Sequence, residues 1–154
     1  MPDLLENFRA VIQSLDEVGI RFALCGGLAM SVHARPRATV DIDLLAPPDE
    51  IARLAVAVEP LGFRRRHLTP MLLAQGEVAM HRFTKIVPGD PDVLLLDVIE
   101  VRPGTTTQAW ETCVRADWDG HSLTVVSREG LILLKRLRGA RQDLADIAAL
   151  EAGA

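Results

Sequence analysis

The chain has 154 residues, 49% of them hydrophobic, and a net charge of −4 from 17 basic and 21 acidic side chains. That length predicts one domain, 1–154, burying roughly 70% of the unfolded chain's surface without a covalent staple. With 4% aromatics, no Tyr and an acidic balance, the composition excludes a stacking wall for single-stranded nucleic acid and a uniformly basic clamp.

Leu4, Leu5, Phe8, Val11, Ile12, Leu15 and Val18 recur at helical spacing, so residues 3–18 read as an amphipathic helix capped by Asp3 and ended by Gly19. A short apolar strand, 21–25, runs into Gly26-Gly27 and a short helix to His33. Residues 39–45 read as a strand stopped by Pro47-Pro48, and a second amphipathic helix follows to Leu61, with Ile51, Leu54, Ala55 and Val58 inward and Gly62 at its end. Strands are expected at 63–67 and 78–87, separated by a helical turn led by Pro70. The aliphatic run Val93–Val101 reads as a buried strand. Asp119-Gly120 marks a hairpin, and Ser127 caps a helical region, 128–150, interrupted near Gly139. No stretch reaches the ~18 apolar residues of a membrane helix. Met1–Leu15 lacks the apolar core of a signal peptide, and Cys25 and Cys113 are too few for a disulfide framework, so a cytoplasmic protein is expected. Helices and strands mix without regular alternation, which predicts an α+β fold, a mixed sheet with helices packed mainly on one face.

The chemically informative segment is Asp41-Ile42-Asp43. Residues i and i+2 of a strand share a face, so both carboxylates stand side by side while Ile42 turns to the core. Two such carboxylates repel, and a divalent cation relieves the repulsion. Asp97 interrupts the run Val93–Ile99, where a lone charge is costly unless it is paired or binds metal. If the two strands are neighbours, Asp41, Asp43 and Asp97 converge. Such a triad can hold two ions, Mg²⁺ or Mn²⁺, about 4 Å apart for in-line phosphoryl transfer, with Asp97 also able to accept the proton of the attacking hydroxyl. Strand, glycine pair and helix start form a phosphate-cradling geometry at Gly26 and Gly27, and the thirteen residues between Gly27 and Asp41 allow one helix and a return.

Leu24-Cys25-Gly26-Gly27, the thirteen-residue gap, Asp41-Ile42-Asp43 and Leu96-Asp97-Val98 together resemble the nucleotidyltransferase superfamily with the DNA polymerase beta-like palm. The similarity is greatest to small prokaryotic members, the minimal nucleotidyltransferases and the AbiEii-type toxins of abortive-infection and toxin–antitoxin systems. His33 to Asp43 resembles the segment before their metal aspartates. Leu131 to Lys135 and Arg141 to Ile147 resemble their Lys and Arg-x-Asp-x-x-Asp helical motifs. The resemblance implies a metal-dependent nucleotidyltransferase moving an NMP from an NTP to an acceptor hydroxyl on an RNA 3′ end, a protein side chain or a small molecule. It implies phosphate contacts from Gly26 and Gly27, metal binding by Asp41, Asp43 and Asp97, and a triphosphate contact from Lys135. It also admits a cognate toxin or antitoxin partner, and the alternative of a non-catalytic, nucleotide-binding or antitoxin-like protein with the same fold. Many superfamily members have Gly-Ser where this chain has Gly26-Gly27, so Gly27 offers an amide but no hydroxyl.

Arg37 and Thr39 flank the first aspartate, where Arg37 can neutralise triphosphate or orient a carboxylate. Lys135, Arg138 and Arg141 form a helical stripe that faces triphosphate or pairs locally with Asp143 and Asp146. Arg64 and Arg66 share a strand face that grips an RNA backbone or serves as a solvated edge. His33 reads as a structural histidine, Cys25 as a buried small hydrophobe, and Trp110 and Trp118 as core or interface residues.

Overall fold

The structure, a computed structural model, describes residues 3–33, 41–139 and 141–153, without the side chains of Arg141 and Gln142. Helix α1, Leu4–Glu17, opens on Asp3, whose carboxylate accepts from the Glu6 amide at 3.0 Å, and buries Phe8, Val11, Ile12 and Leu15. Strand β1, Ala23–Cys25, passes directly into α2, Gly26–His33, and β2 spans Asp41–Ala46. Helix α3, Ile51–Val58, is shorter than the predicted helix because Pro60 tightens residues 59–61 into a 3₁₀ turn.

Strands β3, Arg64–Arg65, β4, Met71–Leu73, and β5, Val78–Ile86, come next. The helical turn expected after Pro70 is instead β4, which pairs antiparallel with Val78–Met80 of β5. The chain reverses between them through Ala74 and Gln75, both at positive φ, so three residues of ladder replace the turn. Strand β6 is Val93–Glu100. Helix α4, Thr105–Glu111, was not expected from the sequence. The hairpin β7, Val114–Trp118, and β8, His121–Val125, closes on Asp119 and Gly120, both left-handed. Helices α5, Arg128–Arg138, and α6, Arg141–Glu151, break at Gly139, and the Ser127 hydroxyl caps α5 by accepting from the Gly130 amide at 3.0 Å.

All eight strands form one mixed sheet in the order β3-β5-β6-β2-β1-β8-β7, with β4 also paired to β5. The β2–β6 and β1–β8 pairs are parallel and the others antiparallel. Phe83, Leu96 and Ile42 share a row on one face. Helices α1 and α3 pack there, and Lys85, two strand positions beyond Phe83 and on the same face, donates to Asn7 of α1 at 2.6 Å. Helices α2, α5 and α6 pack on one another by the Gly26 end of β1. The predicted mixed sheet with packed helices is the observed architecture. Among the described residues no helix is long and apolar enough to cross a membrane.

Candidate active site

Register puts the carboxylates together. Asp43 of β2 lies opposite Asp97 of the parallel β6 on one side and Cys25 of β1 on the other. Arg82 of β5 lies opposite Asp97, so one row across the sheet reads Arg82, Asp97, Asp43, Cys25. Asp41 sits two positions before Asp43, on the same face. Ile42 and Leu44 point the other way and are fully buried. Period-two alternation thus turns one strand into a core on one side and a carboxylate pair on the other.

Gly26 sets the depth of this cluster. It has φ +68°, and a Cβ there would lie 2.2 Å from Asp43 Oδ2. Only glycine lets the first residue of α2 pass this close to the carboxylate. Gly27, next in α2, is buried. Burial raises the Asp43 carboxyl to about 7, with Asp97 and then Asp41 adding repulsion, while Arg138 and Lys135 pull the other way. The same face, led by burial, pushes the Cys25 thiol up, which keeps it a neutral, packed side chain.

Asp97 is 3% exposed. Arg82 holds it in a two-pronged ion pair, Nε to Oδ1 at 2.9 Å and a terminal guanidinium nitrogen to Oδ2 at 3.0 Å. Sequence reasoning missed Arg82. Its signal was the Pro88-Gly89-Asp90 turn: a β5–β6 hairpin folded symmetrically about Gly89 and Asp90 sets residue 82 against residue 97. As the side chains stand, no three His, Cys, Asp or Glu among the described residues close into a metal cage. Both oxygens of Asp97 are turned to Arg82. The donor set nevertheless suits a hard divalent ion: three carboxylates share one face, and Asp43 is short of positive charge.

Lys135 is 4% exposed and ion-paired, with Nζ 2.9 Å from Asp146 and 3.8 Å from Asp143. Arg138 makes two bonds of 2.6 Å to Asp143. The stripe on α5 therefore answers the α6 aspartates, and its charge still reaches Asp43. Arg37 and Thr39 lie outside the described residues, as does the Arg141 side chain. His33 Nε2 is 2.6 Å from the Val126 carbonyl, a structural link between α2 and the segment before α5. Arg64 pairs with Glu59 at the surface, and Arg65 donates to His81 Nδ1 at 3.1 Å. Trp118 packs edge-on against Phe8 with ring centroids 5.0 Å apart.

The fold is that of nucleotidyltransferases. The lincosamide antibiotic adenylyltransferase LnuA, solved with lincomycin bound, superposes with a TM-score of 0.67 over 97% of this chain and 97% of its own, at 14% identity. The antibiotic-resistance factor ANT(2'')-Ia does so with a TM-score of 0.66 over 96% of this chain and 82% of its own, at 20% identity. None of the curated proteins compared matches the sequence. Residues 9–151 match the model of the family described as nucleotidyl transferase AbiEii toxin, type IV toxin–antitoxin system, and the chain belongs to that family. It is a nucleotidyltransferase.

Proposed function

We propose that the chain, acting as one domain over 1–154 in the cytoplasm, transfers a nucleoside monophosphate from an NTP to an acceptor hydroxyl. Asp41, Asp43 and Asp97 would hold one or two Mg²⁺ or Mn²⁺ ions. The observation that carries this reading is the in-register pair Asp43–Asp97, with the glycine-led start of α2 against Asp43. When bound, the divalent ions supply charge neutralisation on the phosphates and acidify the attacking hydroxyl.

The protein's own groups supply the rest. The amides at Gly26 and Gly27 face an anion at the start of α2. Arg37, Thr39 and Arg141 would add phosphate contacts, and Lys135 with Arg138 would supply positive potential from α5. In the transfer, the acceptor oxygen bonds to the α-phosphorus, the bond to the β-phosphate oxygen breaks, and pyrophosphate leaves. Asp97 takes the hydroxyl proton. Family membership supports a toxin–antitoxin setting, in which the acceptor would be an RNA 3′ end or a protein side chain and the chain would have a cognate partner. A structure of ANT(2'')-Ia in complex with adenylyl-2''-tobramycin supports a small-molecule acceptor for this fold.

The test is incubation with each radiolabelled NTP, Mg²⁺ or Mn²⁺, and whole-cell RNA and protein, with the labelled band identifying the acceptor. Asp41→Ala and Asp43→Ala should each lower label incorporation by about a hundred- to a thousandfold. Unchanged labelling in either variant refutes the mechanism. Growth arrest on expression, lost in Asp41→Ala, would support the toxin role.

A further inference from the structure

Arg82 has no part in the transfer chemistry above, yet its guanidinium takes both oxygens of Asp97, at 2.9 and 3.0 Å. A planar fork on a carboxylate leaves little room for a second cation on the same two oxygens. The two partners are unequally fixed. The Asp97 side chain is 4% exposed, whereas that of Arg82 is 42% exposed. Burying a carboxylate charge this deeply is costly unless it is paired. The arginine is the partner free to move. It borders an open cleft of about 330 Å³ lined by Met71, Met80, Thr84 and Leu95 among others. Withdrawal into that cleft would leave the packed face of β5, with Phe83, undisturbed.

We propose that Arg82 is a positioning residue that occupies Asp97 as a stand-in cation and withholds it from free divalent ions until an ion arriving with NTP displaces the guanidinium. The proposal rests on the assignment of Asp97 as a metal ligand. In the resting protein the carboxylate face is partly neutralised from within, and free metal competes against a preorganised bidentate pair. With NTP present, the phosphates add ligands to the incoming ion and tip that competition. The released guanidinium then lies in the cleft on the β5 side, across the carboxylates from Gly26.

The experiment is a Mn²⁺ titration of the full chain, without nucleotide and again with ATP against a protein-free Mn²⁺–ATP control, read by electron paramagnetic resonance of the free ion. It uses wild type, Arg82→Ala, Arg82→Lys, Asp97→Asn and the Arg82→Ala/Asp97→Asn double variant. Arg82→Ala should bind Mn²⁺ about tenfold tighter, since a charge-assisted pair no longer competes. Arg82→Lys, which keeps the charge but loses the fork, should show a smaller gain. In the Asp97→Asn background the Arg82→Ala gain should vanish. Equal affinity of Arg82→Ala and wild type overturns the proposal, as does a gain that persists without Asp97, which would mark a through-space charge effect. If Arg82→Ala does not fold, Arg82→Lys carries the same cycle. A wild type that binds Mn²⁺ neither alone nor with ATP overturns the metal assignment and this proposal together. A wild type that binds Mn²⁺ with ATP, while Arg82→Ala adds nothing, overturns the stand-in role alone.

Discussion

Asp43 shows how one side chain is tuned by its place in a sheet. Its folded value of about 7 lies above the ordinary 3.8, so between those values the folded state holds a proton that the unfolded chain has released. This contribution to stability is full below about pH 4, falls as pH rises through about 7, and is flat above. Asp43→Asn removes the penalty. Urea unfolding of the metal-free protein should show the variant gaining on wild type by about 2–4 kcal/mol between pH 4 and 8. Millimolar Mn²⁺ should shrink that gain. Gly26 and Gly139 separate two costs, because both have φ +68°. A Cβ at Gly139 meets nothing nearer than the Arg136 carbonyl at 3.7 Å, whereas one at Gly26 lands in Asp43. Gly139→Ala should cost about 1 kcal/mol in denaturant melts, and Gly26→Ala at least about 2 kcal/mol more, with loss of transfer.

At the scale of elements, the α5–α6 pair is stabilised by buried charges rather than by apolar burial alone. Lys135, Asp143 and Asp146 are each at most 4% exposed. Lys135→Met removes the ammonium 2.9 Å from buried Asp146 and should cost up to about 3–5 kcal/mol by urea unfolding, while Lys135→Met with Asp146→Leu should recover part of that loss. Helix α4 shows why some elements escape pattern reading. Its first turn is Thr105-Thr106-Thr107, β-branched residues with weak helix propensity. Tertiary contacts hold it. Fully buried Ala109 faces Gly130, where a Cβ would lie 3.2 Å from the Ala109 Cα, and locally Thr106 Oγ1 accepts from the Arg102 amide at 2.7 Å. Strand β4 escaped because three residues give too short a pattern to outweigh the Pro70 turn signal.

For the molecule as a whole, the carboxylate face depends on parts far apart in sequence. Strand β2 supplies two aspartates, β6 the third, β5 the arginine, α2 the glycine and α5 the distant positive charge. Helix α6 holds α5 in place through Asp143 and Asp146 and adds Ile147 and Leu150 to the core. Deleting residues 141–154 should therefore lower the melting temperature by more than 10 °C, a loss of about 3 kcal/mol or more for a chain of this size, and abolish NTP-dependent labelling. Thermal melts by circular dichroism, alongside the labelling assay, check both. The acidic net charge is compatible with anionic substrates, because Asp41, Asp43 and Asp97 gather part of it on one face where bound cations would reverse the local sign.

The sequence by itself determined the local elements: the faces of α1 and α3, the Asp3 and Ser127 caps, the Asp119-Gly120 hairpin, the break at Gly139 and the side-by-side aspartates of β2. Each depends on spacing within a few residues, where periodicity, capping and turn chemistry act. It also marked Asp97 as a charge that needed a partner. Only the tertiary structure decided that Asp97 stands opposite Asp43, that Arg82 is the partner it holds, and that Lys135 is spent on Asp146. The physical reason is register. Strands β2 and β6 meet as parallel neighbours across about fifty residues of intervening chain, and a slip of one residue would turn every side chain of a strand to the other face. No local pattern sets that alignment; the packing of both sheet faces does.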